Sequence, residues 1–259
     1  MTGQLETALG EALRRIAAVD RLLIALDFDG TLAPEVDVPD AARAIPAATE
    51  HLAALQGMPG TTIAFVSGRA LSSLEVVVPR EITAAMIGSH GLEVRIAPGD
   101  EVAPVDERDR ARVEALREAL HPLVDAVEGA WVEVKPAGFA VHTRVVESSA
   151  AAELQRRVRA ASLEADADVL VRDGKNVVEF AVRDATKGDG VRVLRDRLQP
   201  DAVLFAGDDV TDEDALAVLT EGDVGIKVGT ADSVAPFRVT DPAQLADALA
   251  VLVEARSQR

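Results

Sequence analysis

The chain begins with a regular succession of amphipathic and apolar segments. Leucines and one isoleucine recur near helical spacing in the first twenty residues, which predicts an amphipathic helix. The apolar run Leu22–Leu26 and the later segment Thr62–Val66 are typical of buried parallel strands, and a helical segment at 47–56 separates them. A further helix leads to a short strand at 84–87. This alternation predicts an α/β fold with a parallel, doubly wound sheet.

Between residues 93 and 183 the pattern changes to charged amphipathic helices and pairs of alternating strands, and we expect residues 93–103 to form a hairpin there. We interpret Trp131, the single tryptophan, as a core residue of this region. The strand–helix alternation then resumes. The sequence therefore predicts a core formed by 1–92 and 184–259, with 93–183 inserted as an α+β domain.

Composition narrows the possible functions. Of 259 residues, 44 are acidic and 27 are basic, so the net charge is −17. This charge argues against nucleic acid and anionic membranes as partners, because both require a basic surface. The absence of cysteine excludes disulfides, thiolate metal sites and cysteine nucleophiles. Neither a secretory signal nor an apolar run of transmembrane length is visible, so we expect a soluble cytoplasmic protein.

Two carboxylates follow the first strand directly. Asp27 and Asp29 stand where that strand ends, which is where open α/β sheets bind their ligands. Placing two like charges so close together is costly unless a cation or a shared proton offsets their repulsion. Gly30 allows the backbone to approach a ligand closely, and Thr31 adds a hydroxyl. This segment is predicted to be a site.

Three more polar signals occur at strand ends or helix starts. They are the hydroxyl of Ser67, Lys187 near the start of a helix, and the acidic loop Gly207–Asp214. Each alone is weak, since an ordinary turn or a helix cap would explain it. Together with the two aspartates they supply what phosphoryl transfer needs: a carboxylate nucleophile, an acid/base, phosphate-orienting groups and ligands for Mg²⁺.

With DxDGT, the serine, the lysine and the GDD loop in this order, the sequence resembles the haloacid dehalogenase superfamily of phosphotransferases over nearly its whole length. The resemblance implies a Rossmann-like core. It also implies that Asp27 is the nucleophile and Asp29 the general acid/base, while Ser67 and Lys187 orient the phosphate. Lys175 is a rival for the motif lysine, but it lies in the inserted region.

The same resemblance implies Mg²⁺ as the cofactor. Its ligands would be the side chain of Asp27, the main-chain carbonyl of Asp29 and the carboxylate of Asp208. Asp212 would assist through water or by fixing the motif lysine. Asp209 competes for this second acidic role, and sequence alone does not rank the two.

The inserted region resembles a C2-type cap, the larger, sheet-containing kind that closes over the site. Six signatures resemble trehalose-6-phosphate phosphatases: GSHG at 88–91, KP at 135–136, GFAVHTR at 138–144, GKNVVE at 174–179, GDDVTDED at 207–214 and IKVGT at 226–230. The implied reaction is the hydrolysis of trehalose 6-phosphate to trehalose and phosphate. The implied substrate-binding residues are Arg69, His90, Gly91, Lys135, His142, Arg144, Lys175 and Glu179.

Alternatives stay open at this point. The substrate could be another sugar phosphate, such as sucrose 6-phosphate, and the protein could be a phosphomutase of the same fold. A non-catalytic sugar-phosphate sensor or a receiver-type acceptor domain belongs to a different class, although receivers lack a large insertion and a second Asp after the acceptor. We expect a stand-alone, monomeric enzyme whose partner is a small sugar phosphate.

Overall fold

The computed structural model forms two compact units, Met1–Ala103 with Ala185–Arg259, and Pro104–Asp184. The first is called unit 1 and the second unit 2. The structure describes residues 7–97, 99–100, 107–135, 137–174 and 176–259.

Unit 1 contains a seven-stranded sheet between helices. Its strands are β1 (Leu22–Leu26), β2 (Thr61–Val66), β3 (Ala85–Gly88), β4 (Glu93–Arg95), β9 (Ala202–Gly207), β10 (Val224–Val228) and β11 (Phe237–Val239). Its helices are α1 (Thr7–Ala17), α2 (Pro46–Gln56), α3 (Leu71–Val77), α6 (Lys187–Leu198), α7 (Glu213–Leu216) and α8 (Pro242–Ser257). The strand order is β11-β10-β9-β1-β2-β3-β4, and only β4 is antiparallel to its neighbour. The predicted doubly wound α/β fold is confirmed.

The central strand β1 is buried at all five positions because helices cover both faces of the sheet. Leu22, Ile24 and Leu26 pack into one apolar cluster with the buried side chains of α1, α2, α3 and α8. Leu23 and Ala25 face the opposite way and pack with α6 and α7. A strand buried on both faces reads as a continuous apolar run, which is the pattern visible in the sequence.

Unit 2 is a four-stranded antiparallel sheet with two long helices. Its strands are β5 (Trp131–Lys135), β6 (Gly138–His142), β7 (Leu170–Gly174) and β8 (Val177–Ala181), and its helices are α4 (Glu107–Asp125) and α5 (Ser148–Ala165). The strand order is β5-β6-β8-β7. One face of the sheet carries buried apolar side chains such as Phe139 and Phe180, whose rings lie 5.7 Å apart. The other face is largely polar.

Two details of unit 1 differ from the sequence prediction. Glu93–Arg95 pairs antiparallel with β3 and extends the core sheet, so the boundary between the units lies after residue 103 and not after residue 92. Of the expected 93–103 hairpin, the first arm therefore pairs with β3 of unit 1, and residues 101–103 of the second arm lie outside the described residues. The strand Phe237–Val239 was not predicted, because three residues are too few to show a period.

A single buried arginine joins the start of the sheet to the last helix. Arg256, 4% exposed, uses all five of its N–H groups within unit 1. At 2.7–3.2 Å they donate to the carbonyls of Ala17, Val19, Asp20 and Pro59 and to Thr61 Oγ1.

Among the described helices, none is long and apolar enough to cross a membrane.

We expect Arg256→Lys to destabilise unit 1 by about 2 kcal/mol, because an ammonium cannot reach carbonyls on both sides and leaves some of them without a donor. The melting temperature should fall by roughly 4–8 °C, measured by differential scanning calorimetry. An unchanged melting temperature would show that these hydrogen bonds contribute little.

Candidate active site

The site is centred on a buried lysine. Lys187 begins α6, where Thr186 and Asp189 form a capping box that fixes the first turn of the helix. Its Nζ donates to Asp27 Oδ1 at 2.8 Å and to Asp212 Oδ1 at 2.7 Å. Lys187 is only 3% exposed. Burial by itself disfavours the ammonium, but the charges of Asp27 and Asp212 outweigh burial and raise the pKa of Lys187. The lysine is therefore held as a cation between two carboxylates.

Adjacent strand ends bring the acidic side chains together. Asp27 directly follows β1, Asp208 directly follows β9, and these two strands pair in parallel. Burial raises the pKa of Asp27 from 3.8 to about 6, despite the opposing effect of Lys187, and the charge of Asp208 adds to the rise. Burial and the charge of Asp27 raise the pKa of Asp212 to about 7. The site concentrates negative charge that one lysine does not neutralise.

Gly30 and Thr31 shape the other side of this cluster. Gly30 has a φ of +78°, and a Cβ there would lie 2.1 Å from Asp208 Oδ2, so only glycine fits beside this carboxylate. Thr31 donates from Oγ1 to Asp208 Oδ1 at 3.0 Å. Burial also raises the pKa of Asp208. The DxDGT segment therefore positions the acidic loop as well as supplying its own carboxylates.

The acidic cluster suits a hard cation. One ligand oxygen from each of Asp27, Asp208 and Asp212 lies within 4.8 Å of the others. All three donors are carboxylate oxygens, which Mg²⁺ prefers, and three carboxylates face one ammonium. Asp209 is not in this group, because its Oδ1 accepts from the N–H of Val210 at 2.7 Å and caps a 3₁₀ turn. Of the two candidates that the sequence left unranked, the structure places Asp212 in the cluster.

The carboxylate of Asp29 has a different partner. Arg69 binds it in a bidentate ion pair, with Nε to Oδ2 and Nη2 to Oδ1 both at 2.6 Å. Arg69 also donates to the carbonyl of Pro39 at 2.9 Å and to Ser73 Oγ at 3.3 Å. Asp29 keeps its side chain 38% exposed. The two aspartates of the motif therefore have separate environments, one buried against the lysine and one paired with arginine near solvent.

Ser67 and the loop at 88–91 lie at the next strand ends. Ser67 directly follows β2 and is 2% exposed, and its Oγ accepts from the N–H of Arg69 at 3.1 Å. The N–H of His90 donates to the Ser67 carbonyl at 3.1 Å. A Cβ at Gly68 would lie 2.5 Å from the His90 ring, and one at Gly91 would lie 2.4 Å from the carbonyl that precedes Lys187. The loop thus packs between the serine and lysine segments.

The backbone of this loop is strained. Ser89 and His90 have φ values of 48° and 56°, which non-glycine residues adopt at a cost of about 1–3 kcal/mol each, and Gly91 follows at 113°. Glu93 holds them in place: its Oε2 accepts from Ser89 Oγ at 2.7 Å and from the N–H of Leu71 at 2.9 Å. The sequence alone did not predict this role for Glu93. The one local indication of the contact is that Glu93 lies four residues after Ser89.

Three of the implied substrate-binding residues, Lys135, His142 and Glu179, share the polar face of the sheet of unit 2. Lys135 Nζ donates to Glu179 Oε1 at 2.5 Å, and His142 Nε2 lies 2.9 Å from Glu133 Oε2. The Trp131 ring stacks on the His142 ring at 4.6 Å with 6° between their planes. These five residues are called the polar cluster.

The polar cluster corrects one interpretation. Trp131 is 44% exposed and lies on the polar face, so its assignment to the hydrophobic core was wrong. Trp131, Glu133 and Lys135 alternate along β5, and alternate residues of a strand point to the same face. This spacing is the sequence signal that places Trp131 on the polar face.

Two other candidates lie outside β6 and β8. β6 ends at His142, so Arg144 lies exposed in the turn that follows. Lys175 lies outside the described residues.

The raised pKa values predict a pH dependence of stability. Between pH about 4 and 7 the metal-free folded protein binds more protons at Asp27 and Asp212 than the unfolded chain does. The contribution of these two groups to the free energy of unfolding therefore falls as pH rises. Asp212→Asn should remove one titrating group. In EDTA, urea unfolding at pH 5, 6 and 7 should show the native protein losing about 1–2 kcal/mol more than the variant. Parallel pH curves would contradict the assignment.

Sequence comparisons fit this geometry. A family model described as trehalose-phosphatase matches residues 25–243. The chain is 34% identical over 247 residues to the trehalose-phosphate phosphatase of Mycobacterium marinum, covering 88% of this chain and 60% of that protein. It is 32% identical over 227 residues to the bifunctional trehalose-6-phosphate synthase/phosphatase of Thermoproteus tenax, covering 87% of this chain and 31% of that protein. The chain thus spans about three fifths of the length of the M. marinum protein and about a third of that of the T. tenax protein.

Solved structures share the fold. The trehalose-6-phosphate phosphatase C-terminal domain of C. albicans superposes with a TM-score of 0.75 at 21% identity, covering 98% of this chain and 99% of that one. A haloacid dehalogenase subclass IIB sugar phosphatase superposes with a TM-score of 0.55 at 16% identity, covering 89% of this chain and 97% of that one. With the family model matching most of its length, the chain belongs to the trehalose-phosphatase family of the haloacid dehalogenase fold.

Proposed function

We propose that this protein is a Mg²⁺-dependent phosphatase that hydrolyses trehalose 6-phosphate to trehalose and inorganic phosphate through an aspartyl-phosphate intermediate. The main support is the buried arrangement of Asp27, Lys187 and Asp212, which holds a carboxylate oriented by an ammonium at a strand end. The names of the relatives support the substrate, and the acidic cluster supports the cation.

In the first step, an oxygen of the Asp27 carboxylate attacks phosphorus, and the bond between phosphorus and the sugar oxygen breaks. Lys187 holds Asp27 Oδ1 at 2.8 Å, which limits rotation of the carboxylate and aims it before the substrate arrives. The same ammonium, with the Ser67 hydroxyl, can bind phosphoryl oxygens as negative charge shifts toward them.

Asp29 acts as the acid and then the base. It protonates the leaving sugar alkoxide, and its carboxylate then takes a proton from the water that attacks the aspartyl-phosphate, which releases phosphate and restores Asp27. In the structure both carboxylate oxygens of Asp29 accept from Arg69. Asp29 can therefore donate a proton only after this pair loosens. An anionic substrate gives the guanidinium another partner, which couples substrate binding to release of the acid.

Mg²⁺ would be held by the carboxylates of Asp27 and Asp208 and by the main-chain carbonyl of Asp29. Asp212 would support the site through Lys187, since its Oδ1 accepts from that ammonium at 2.7 Å. When bound, the cation supplies positive charge that offsets the clustered carboxylates and the substrate phosphate.

Replacing the nucleophile tests the chemistry. Asp27→Asn retains the side-chain shape but cannot form the acyl phosphate, so release of phosphate from trehalose 6-phosphate should fall by roughly a thousandfold or more. A phosphate assay over a panel of sugar phosphates, with Mg²⁺ or with EDTA, measures this directly.

The panel also separates the alternatives. Faster turnover of sucrose 6-phosphate than of trehalose 6-phosphate would identify a different substrate. Isomerised sugar phosphate without net phosphate release would indicate a phosphomutase. No turnover of any ester by the native protein would favour the sensor. A variant as active as the native protein would contradict the nucleophile assignment.

We further propose that unit 2 is a cap domain that recognises the sugar. Its polar cluster combines an exposed aromatic ring, a carboxylate-bound imidazole and the Lys135–Glu179 ion pair. Such groups suit a disaccharide, whose hydroxyls donate and accept hydrogen bonds while its C–H faces pack on aromatic rings. The small residues Gly138 and Ala140 lie on the middle strand, between the polar side chains of β5 and those of β8.

Glu179→Gln and Trp131→Ala should raise KM for trehalose 6-phosphate by roughly five- to tenfold, the size of one lost hydrogen bond or ring contact. Turnover of p-nitrophenyl phosphate should stay near the native value, because this ester has no sugar. Val134→Ala is the matched control, since Val134 is also exposed on β5 but faces the other way. Equal losses on both substrates would contradict a role in recognition.

A further inference from the structure

A second buried lysine lies behind the acidic loop. Lys227 is in β10, which is buried at all five positions, and it is 1% exposed. A buried ammonium is costly unless charged and polar partners compensate its lost hydration. The catalytic steps above make no use of this lysine. Its position in the strand next to β9, the strand that leads into Asp208, suggests a role at the site.

The contacts of Lys227 join two loops. Its Nζ donates to the carbonyl of Asp209 at 3.1 Å and to Glu213 Oε1 at 2.9 Å. Glu213 Oε2 in turn accepts from Ser233 Oγ at 3.0 Å and from the N–H of Val234 at 2.9 Å. The loop that follows β9 and the loop that follows β10 are therefore held together through the ion pair of the buried Lys227 with the partly exposed Glu213.

The backbone of the acidic loop is held on two sides. Asp212 Oδ2 accepts from the N–H of Asp209 at 2.9 Å, while Lys227 binds the carbonyl of the same residue. Asp212 Oδ1 accepts from Lys187, so the loop is held between two buried lysines. Asp208 immediately precedes this doubly fixed residue. A displacement of the Asp209 carbonyl would therefore move the Asp208 carboxylate relative to Asp27.

We propose that Lys227 is a positioning residue for the cation: through the Asp209 carbonyl and Glu213 it fixes the loop that carries Asp208, whose carboxylate would bind Mg²⁺, and Asp212, which holds Lys187. Its ammonium bonds to the Asp209 carbonyl and to Glu213 rather than to the reacting groups, so it acts through the loop and is not catalytic. The inference rests on the proposed use of Mg²⁺. It adds a specific determinant of cation affinity that lies outside the ligand set.

The experiment measures Mg²⁺ binding without turnover. Lys227→Met removes the ammonium, Lys227→Arg retains the charge, and Glu213→Gln weakens the pair from its partly exposed end. Binding of MgCl₂ is followed by titration calorimetry and by the Mg²⁺ dependence of the melting temperature. Arg256→Lys is the matched control, because Arg256 is also a buried cation bonded to backbone carbonyls but belongs to the opposite end of the sheet.

We expect Lys227→Met to weaken Mg²⁺ binding by about tenfold, the size of effect produced by losing an outer partner of a metal ligand. Glu213→Gln should act in the same direction, by roughly threefold, and Lys227→Arg should recover part of the loss. At saturating Mg²⁺ the KM for substrate should equal the native value. Arg256→Lys should lower the melting temperature and leave Mg²⁺ affinity unchanged.

Three results would overturn the inference. Native-like Mg²⁺ affinity in a folded Lys227→Met protein would do so, as would equal weakening in Arg256→Lys, which would indicate general loss of stability. If Lys227→Met does not fold, native-like affinity in Glu213→Gln decides against it. Absence of Mg²⁺ binding by the native protein would instead overturn the proposed function as well, so the two failures are distinguishable.

Discussion

The site depends on one interaction, the burial of the Lys187 ammonium between two carboxylates. Asp27 and Asp212 would repel each other, and neither would tolerate burial without a cation. The lysine makes the arrangement possible, since its Nζ bonds to both at 2.7–2.8 Å. Each group comes from a different element: a strand end, a helix start and a loop. The doubly wound sheet brings these elements to one edge, because parallel strands end side by side.

Burying these carboxylates together costs free energy, and the raised pKa values of the two aspartates reflect this cost. Burial raises the pKa of Asp27 to about 6 and that of Asp212 to about 7, so the metal-free site is most easily accommodated when partly protonated. A site that accumulates like charge is less stable than a neutral core would be, and a cation offsets this charge. Supporting residues such as Glu93 and Lys227 hold strained or charged segments in place around it.

The two units divide the work that the proposed reaction requires. Unit 1 contains the residues that are proposed to make and break bonds to phosphorus. Unit 2 presents an antiparallel sheet with one apolar face and one polar face, and its polar cluster offers an aromatic ring and hydrogen-bonding groups. Antiparallel sheets can expose one face in this way, whereas a parallel sheet covered by helices on both sides cannot, so the polar groups of the candidate site in unit 1 lie at its strand ends.

The fold class and the strand ends that bear the acids could be predicted from the amino-acid sequence, because a strand buried on both faces appears as an apolar run. The sequence did not place Glu93–Arg95 in the core sheet or Trp131 on the polar face, since short segments fit several partners and pairing depends on distant residues. Tertiary structure alone placed Asp212 and not Asp209 beside Lys187, and set Lys227 behind their loop. Direction and distance between side chains arise only when separate elements pack.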